Sequence, residues 1–268
     1  MRINLEMDAE LYQTITSIKQ AEENIGGLSN TSKMPALSTS ISIEHCNTGS
    51  VLIEIEGSAC FGCYADGGRY NMPNVKLALA ERFDKYNENP ELWVCSIVYI
   101  LRHSKLMQRV PFFRWFDAGD IIDFDHLVSI YTVVANTPDI NHWLPTKEWQ
   151  LVKQVSTLSN LVVRLSSPFK NKPFKPALHP TRTLPENARY HSVVLTQVEY
   201  DRTFDMADDM GMYYCPAHSQ DGECKDCRAC WDPSIECIAY RYHGSNKHGT
   251  SNLSLDVDKI LSNRGYMK

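Results

Sequence analysis

Residues 110–166 read VPFFRWFDAGDIIDFDHLVSIYTVVANTPDINHWLPTKEWQLVKQVSTLSNLVVRLS, and the alternation of patterns inside this stretch decides the fold. Residues 110–115 form a short apolar run broken only by Arg114, as a buried strand would, and Ala118-Gly119-Asp120 follows as a turn. Residues 124–135 (FDHLVSIYTVVA) then carry a helical period. Residues 140–145 return to a strand, 147–158 read as a helix capped by Thr146 or a neighbour, and 161–166 (LVVRLS) read as a third strand. Strands alternating with helices favour right-handed crossovers, and so a parallel sheet.

Upstream, residues 5–24 place Leu5, Leu11, Ile15 and Ile18 at helical spacing before Gly26-Gly27, and a Ser/Thr-rich linker follows. A strand is expected over 40–44, delivering His45 and Cys46 at its end, with a short hairpin around 51–55. NVKLALAERFDKYNEN and PELWVCSIVYILRHS read as two helices. Downstream, the Pro-rich piece 168–185 reads as a surface loop, 191–197 and 238–243 as strands, and 256–263 as a closing helix. The expected class is α/β: an incomplete or irregular parallel β/α barrel of about six strands, with cysteine-rich loops at its C-terminal face. Residues 1–32 are read as an N-terminal helix and linker, and 33–268 as a single metal-binding domain with a cysteine-rich excursion at 213–237.

The 268 residues are 43% hydrophobic, enough for a substantial core, and a net charge of −5 gives no basic footprint for nucleic acid. No apolar run approaches bilayer length, and the N-terminal residues MRINLEMDAELYQ are charged, so a cytoplasmic protein without a membrane partner is expected. In that reducing setting nine cysteines point to metal rather than to disulfides.

Eight of those cysteines fall into two tracts, and Cys95, alone among apolar neighbours in the helix PELWVCSIVYILRHS, reads as a small core residue. Cys224, Cys227 and Cys230 form overlapping CxxC units, with Cys215-Pro216 as a remote ligand and Cys237 as an alternative fourth. CxxCxxC with a distant Cys-Pro is the ligand pattern of ferredoxin-type clusters, and the same residues suit a four-thiolate zinc site. The other tract holds Cys60-Phe61-Gly62-Cys63, with Cys46 as a third thiolate; three protein thiolates on a four-iron cluster leave one iron open. That arrangement resembles radical S-adenosylmethionine enzymes, although Cys46 stands fourteen positions before Cys60 where that family has CxxxCxxC in one loop.

Polar residues at the carboxyl ends of parallel strands face the crevice where ligands bind. Asp117, Gly119 and Asp120 follow one strand, Thr146 and Lys147 another, and Ser166 with Ser167, and His243, follow two more. Asp117, Asp120, Lys147 and Arg114 are therefore the candidate catalytic residues. Arg114 and Arg164 interrupt apolar strands, and a buried guanidinium needs an acceptor: a structural ion pair with Asp117 or Asp120, or an anionic substrate.

The chain resembles the phage gene-product-88 family in four places: SKMPALSTSISIEHC (32–46), CFGCYA (60–65) with Arg69-Tyr70, FFRWFDAGDI (112–121) and CPAHSQDGECKDCRAC (215–230). The resemblance implies a phage origin, hence the host cytoplasm, and a metal-bearing α/β fold. Two functions are expected. One is an iron–sulfur oxidoreductase or radical-type enzyme acting on a small molecule, with one or two 4Fe-4S clusters: Cys46, Cys60 and Cys63 at the active one, the C-terminal thiolates at a second, or both tracts sharing a single cluster. The alternative is a zinc-stabilised regulatory protein. It would engage a host protein or, less favoured, nucleic acid through Phe169, Lys170, Lys172, Phe174, Lys175 and Arg182.

Overall fold

The computed structural model describes residues 3–172, 189–206 and 211–243. The strand–helix rhythm is present as β3 (Phe112–Arg114), α7 (Phe124–Ala135), β4 (Asn141–Thr146), α8 (Trp149–Val152) and β5 (Leu161–Ser166). Before it come α1 (Ala9–Gln13), α2 (Ile18–Ile25), β1 (Ser29–Asn30), β2 (Leu37–Ser38), α3 (Asn47–Leu52), α4 (Pro73–Glu88), α5 (Pro90–His103) and α6 (Lys105–Arg109). After it come β6 (Tyr190–Leu195), α9 (Gln197–Phe204), β7 (Tyr213–Tyr214) and β8 (Cys237–Arg241).

Eight strands form one sheet in the order β1-β2-β3-β4-β5-β6-β8-β7, parallel throughout except for the β1–β2 pair. This corrects the expected barrel of about six strands. The sheet is open, with β1 and β7 as its two edges. The strands that the sequence reading did not anticipate, β1, β2 and β7, are two residues long, too short to leave a period-2 pattern in the sequence.

Side chains alternate across the strands, and the two faces are covered differently. Phe113, Trp115, Leu144, Leu161 and Val163 join Trp93, Ile97, Leu101, Leu127 and Ile130 of α5 and α7 in the main core. On the other face Phe112 and Trp143 pack against Trp231 and Cys230, and the turn Ala229–Trp231 lies on β4 and β5. Trp231 Nε1 donates to the Phe113 carbonyl at 2.9 Å, tying that turn to the sheet. A cysteine-bearing segment, rather than a helix, lies on this face.

Several local expectations are corrected. Residues 40–44 are not a strand: Ser42 caps a 3₁₀ turn, Ile43–His45, so His45 and Cys46 lie well past the end of β2. The hairpin around 51–55 is instead α3, whose Thr48, Val51 and Leu52 are buried at helical spacing. The N-terminal helix is split, because Asp8 caps α1 and Ser17 caps α2 inside the continuous apolar pattern. The helix over 147–158 shrinks to α8, since Glu148 is held by Thr48 and takes a non-helical backbone. The closing helix over 256–263 lies outside the described residues.

Candidate functional site

Cys46, Cys60 and Cys63 are brought together at the carboxyl end of the sheet. Cys46 is the residue before α3, and its carbonyl accepts from Ser50 N at 3.0 Å. The Cys60 loop closes as a turn, with Cys63 N donating to the Cys60 carbonyl at 2.9 Å and Gly62 at φ +71° between them. Ser58 Oγ accepts from Phe61 N at 2.9 Å, and Ala59 N donates to the Pro168 carbonyl at 2.8 Å just past β5. From beyond β8, the Tyr242 hydroxyl donates to the carbonyls of Phe61 and Gly62 at 3.1 and 3.2 Å. Lys170 Nζ donates to Phe61 O at 3.2 Å and lies 3.8 Å from the Tyr242 ring centroid. Phe169 and Lys170, read from sequence as part of a nucleic-acid surface, are buried behind the cysteine loop instead. Lys172 stays exposed, and Phe174, Lys175 and Arg182 lie outside the described residues.

Gly49 is the close-approach point of this site. A Cβ there would stand 2.9 Å from Cys46 Cβ, 3.6 Å from Cys46 Sγ and 3.9 Å from Cys60 Sγ. Gly49→Ala gains about 1 kcal/mol of helix propensity but must displace Cys46. The expected outcome is a melting temperature close to wild type with loss of any metal held by the three thiols, read by metal analysis and calorimetry together.

Lys147 and Asp120 join these thiols, as strand-end reasoning anticipated. Asp120 accepts from Thr146 Oγ1 at 2.6 Å and from the backbone N–H groups of Lys147 and Ile121 at 2.8 Å; burial nevertheless holds its carboxyl above the usual range. Burial works to lower the Lys147 ammonium, but Cys60, Asp120, Cys63 and Cys46 outweigh it and keep it above its ordinary value. Burial pushes the Cys46 and Cys60 thiols up, with Lys147 acting in the opposite sense on both. Glu148, which sequence reasoning missed, accepts from Thr48 N and Oγ1 at 2.8 and 3.0 Å and is pushed up to about 7 by burial and then by Asp120.

Arg114 and Asp117 stand beside Tyr64, the residue after Cys63. The Tyr64 hydroxyl donates to the Asp117 carbonyl, and Tyr70 donates to Asp117 Oδ2 at 3.4 Å. Arg114 Nη1 donates to Met34 Sδ at 2.9 Å, and its guanidinium lies 4.9 Å from the Trp143 ring centroid. Among the described residues no ion pair joins Arg114 to Asp117 or Asp120, nor Arg164 to any acid, which corrects the expected structural pairs. Of the other strand-end polar groups, Ser167 Oγ donates to the Phe169 carbonyl at 3.2 Å, and the His243 ring lies 5.7 Å from that of Tyr64.

The second tract gathers elsewhere. Cys215, Cys224, Cys227 and Cys230 line one small pocket with Tyr213, Trp231 and Ile238. Cys227 N donates to the Cys224 carbonyl at 2.9 Å, Cys224 N to Lys33 O at 2.9 Å, and Cys215 N to Ala239 O at 2.9 Å. Tyr213 and Tyr240 hydroxyls lie 3.4 Å from Cys227 Sγ and 3.1 Å from Cys230 Sγ. Burial pushes Cys215 up to about 11 and Cys230 up to about 12. Cys237 is not part of this pocket. It is buried with Val193, Leu195 and Tyr214 on the opposite face of β8, because it is in phase with Ala239 two positions on and out of phase with the pocket-lining Ile238.

None of the nine cysteines is in a disulfide. Among the described residues no three His, Cys, Asp or Glu side chains are arranged to hold a single metal ion. No helix among them is long and apolar enough to cross a membrane.

No curated protein matches the chain, and no solved structure does. The resemblance to radical S-adenosylmethionine enzymes gains no support from these comparisons. The family model described as Gene product 88 matches residues 10–233, a span that contains the three thiols at the sheet end and the four of the pocket and stops short of Cys237. The chain therefore belongs to the phage gene-product-88 family.

Proposed function

We propose that this chain is an iron–sulfur protein with two thiolate sites, acting as an oxidoreductase at the one formed by Cys46, Cys60 and Cys63. The observation that carries this reading is the gathering of Cys215, Cys224, Cys227 and Cys230 around one pocket. A four-iron cube takes one thiolate on each of its irons, and this pocket offers four. The pocket includes none of the three upstream thiols, which supports two sites rather than one shared cluster.

The residues present fit such a group by donor chemistry. Cys46, Cys60 and Cys63 would hold it at the sheet end, and it would supply one-electron chemistry with one metal position left for a small molecule. Around it the chain's own groups have defined work. Lys147 places positive charge among the thiolates, Asp120 fixes the Lys147 backbone, and Tyr242 and Lys170 hold the loop that carries Cys60 and Cys63. Arg114, beside Tyr64, stands within reach of an anionic substrate group.

Cys63→Ser and Cys230→Ser test the reading separately. Each is expected to lose about half of the iron and sulfide, since each removes one ligand of one cluster, while the other half stays. Unchanged iron in both variants would sink it.

A further inference from the structure

We infer that Arg164 is a positioning residue that supplies the buried counter-charge for the Cys215, Cys224, Cys227 and Cys230 site; the inference rests on reading those thiols as metal ligands.

Arg164 stands in the middle of β5, in register with Pro145 and Tyr190, and is completely buried. A guanidinium has five N–H donors. Nε donates to Cys230 O at 3.0 Å, Nη1 to Ile235 O at 2.8 Å and Glu236 O at 3.4 Å, and Nη2 to Ala229 O at 2.9 Å and Asp232 O at 3.0 Å. Every acceptor is a main-chain carbonyl of residues 229–236, the segment that carries the last pocket cysteine and leads to β8. The hydrogen bonds are complete, yet among the described residues no carboxylate forms an ion pair with it.

Hydrogen bonding to these carbonyls accounts for the donors but not for the charge, because a buried cation is costly where no anion faces it. The cation makes sense where an anion arrives. Four thiolates on a divalent ion carry a net charge of about −2, and a buried dianion needs a nearby cation. Arg164 meets Cys230 through that residue's own carbonyl, so it fixes the ligand's backbone and its field at once. Two other cations lie near these thiols: Arg228, half-buried, donates to Lys225 O at 2.6 Å and Cys227 O at 2.9 Å, and Arg114 acts on Cys224 and Cys230 from β3, where its Nη1 is bonded to Met34 Sδ rather than to the backbone of a ligand.

Arg164→Lys and Arg164→Gln in the full chain separate charge from anchoring, because both lose the five-donor fork and only lysine keeps the charge. With Zn²⁺ as the probe and a competing chromophoric chelator, the lysine variant is expected to bind within about threefold of wild type and the glutamine variant at least about tenfold more weakly. In protein carrying iron and sulfide, glutamine is expected to shift the reduced-to-oxidised ratio about tenfold towards the oxidised form at fixed potential, 59 mV for one electron. Equal weakening in both variants means that Arg164 only anchors the segment, and overturns the inference. Absence of zinc binding by the wild type overturns it as well. Should both variants fail to fold, Arg228→Gln decides: zinc affinity within about threefold of wild type is expected, and a loss of about tenfold or more would make Arg228 the counter-charge and overturn the inference. Lack of acid-labile sulfide in the wild type would instead remove the iron–sulfur reading alone, and leave the zinc comparison standing.

Discussion

Replacing Arg164 with leucine is expected to cost the fold about 5 kcal/mol or more, because the five carbonyls it serves are left in an apolar interior and each unpartnered group costs about 1–3 kcal/mol. Some carbonyls will turn towards water, which keeps the loss below the full sum. A loss of that size is a large part of the 5–15 kcal/mol that typically holds a domain together. It would fall first on the segment carrying Ala229, Cys230, Trp231 and Asp232, whose Trp231 indole is hydrogen-bonded to β3 and packed on Trp143. Urea denaturation followed by tryptophan fluorescence reads this directly, since the Trp231 and Trp143 rings lie 5.3 Å apart. A change in midpoint equivalent to less than about 1 kcal/mol, the net worth of a single hydrogen bond, would mean that the segment is held by its apolar contacts alone.

Stability is expected to fall steeply in acid, and two histidines are the cause. His126 packs among Tyr86, Trp93 and Phe116, and His142 lies between Phe113 and Trp115 with its Nε2 2.9 Å from Thr137 Oγ1. Burial lowers both rings to about 3. Below the ordinary histidine value of about 6.5 the unfolded chain takes up protons that the native rings refuse, so unfolding gains ground as the pH drops towards 3. The stability they confer is present above about pH 6.5 and is on the order of 3 kcal/mol per ring smaller by pH 4. His126→Phe should flatten the decline between pH 6.5 and 4 although it removes the acceptor for Ile122 N. A native-state ring titration near 6.5, seen by proton NMR, would contradict the explanation.

How much of this was legible in the sequence depended on whether the information was local. The helix over 124–135 and the strand over 161–166 lie where the sequence pattern puts them, because each presents an uninterrupted period to a single packing face. The class, α/β with parallel pairing, followed from the same alternation. Closure did not, since whether a sheet closes depends on its edges, and β1 and β7 are formed by residue pairs with no period at all. The α3 helix was hidden because Asn47-Thr48-Gly49-Ser50 reads as loop chemistry, while its reason for being helical is the burial of Thr48, Val51 and Leu52 in three dimensions.

The site was legible in its cysteines and in the strand-end pair Asp120 and Lys147. Its supports were not. Tyr242 holds a loop 180 positions upstream, and Glu148 reaches Thr48 across 100 positions. Such contacts leave no spacing signal. Arg114 and Arg164 drew notice because charge interrupts an apolar strand, and ion pairing was the natural expectation; the acceptors are a thioether and five peptide carbonyls. Cys237 was misassigned because counting cysteines ignores strand phase, and its neighbours in β8 send it to the other face.

The central claim, that the two thiol sites hold iron–sulfur clusters, is tested most directly by iron and acid-labile sulfide analysis with an ultraviolet–visible spectrum on the full chain purified without oxygen. The expected result is brown protein with roughly four irons and four sulfides for each of two clusters. Stoichiometric zinc without sulfide would contradict it and make the seven clustered cysteines a scaffold.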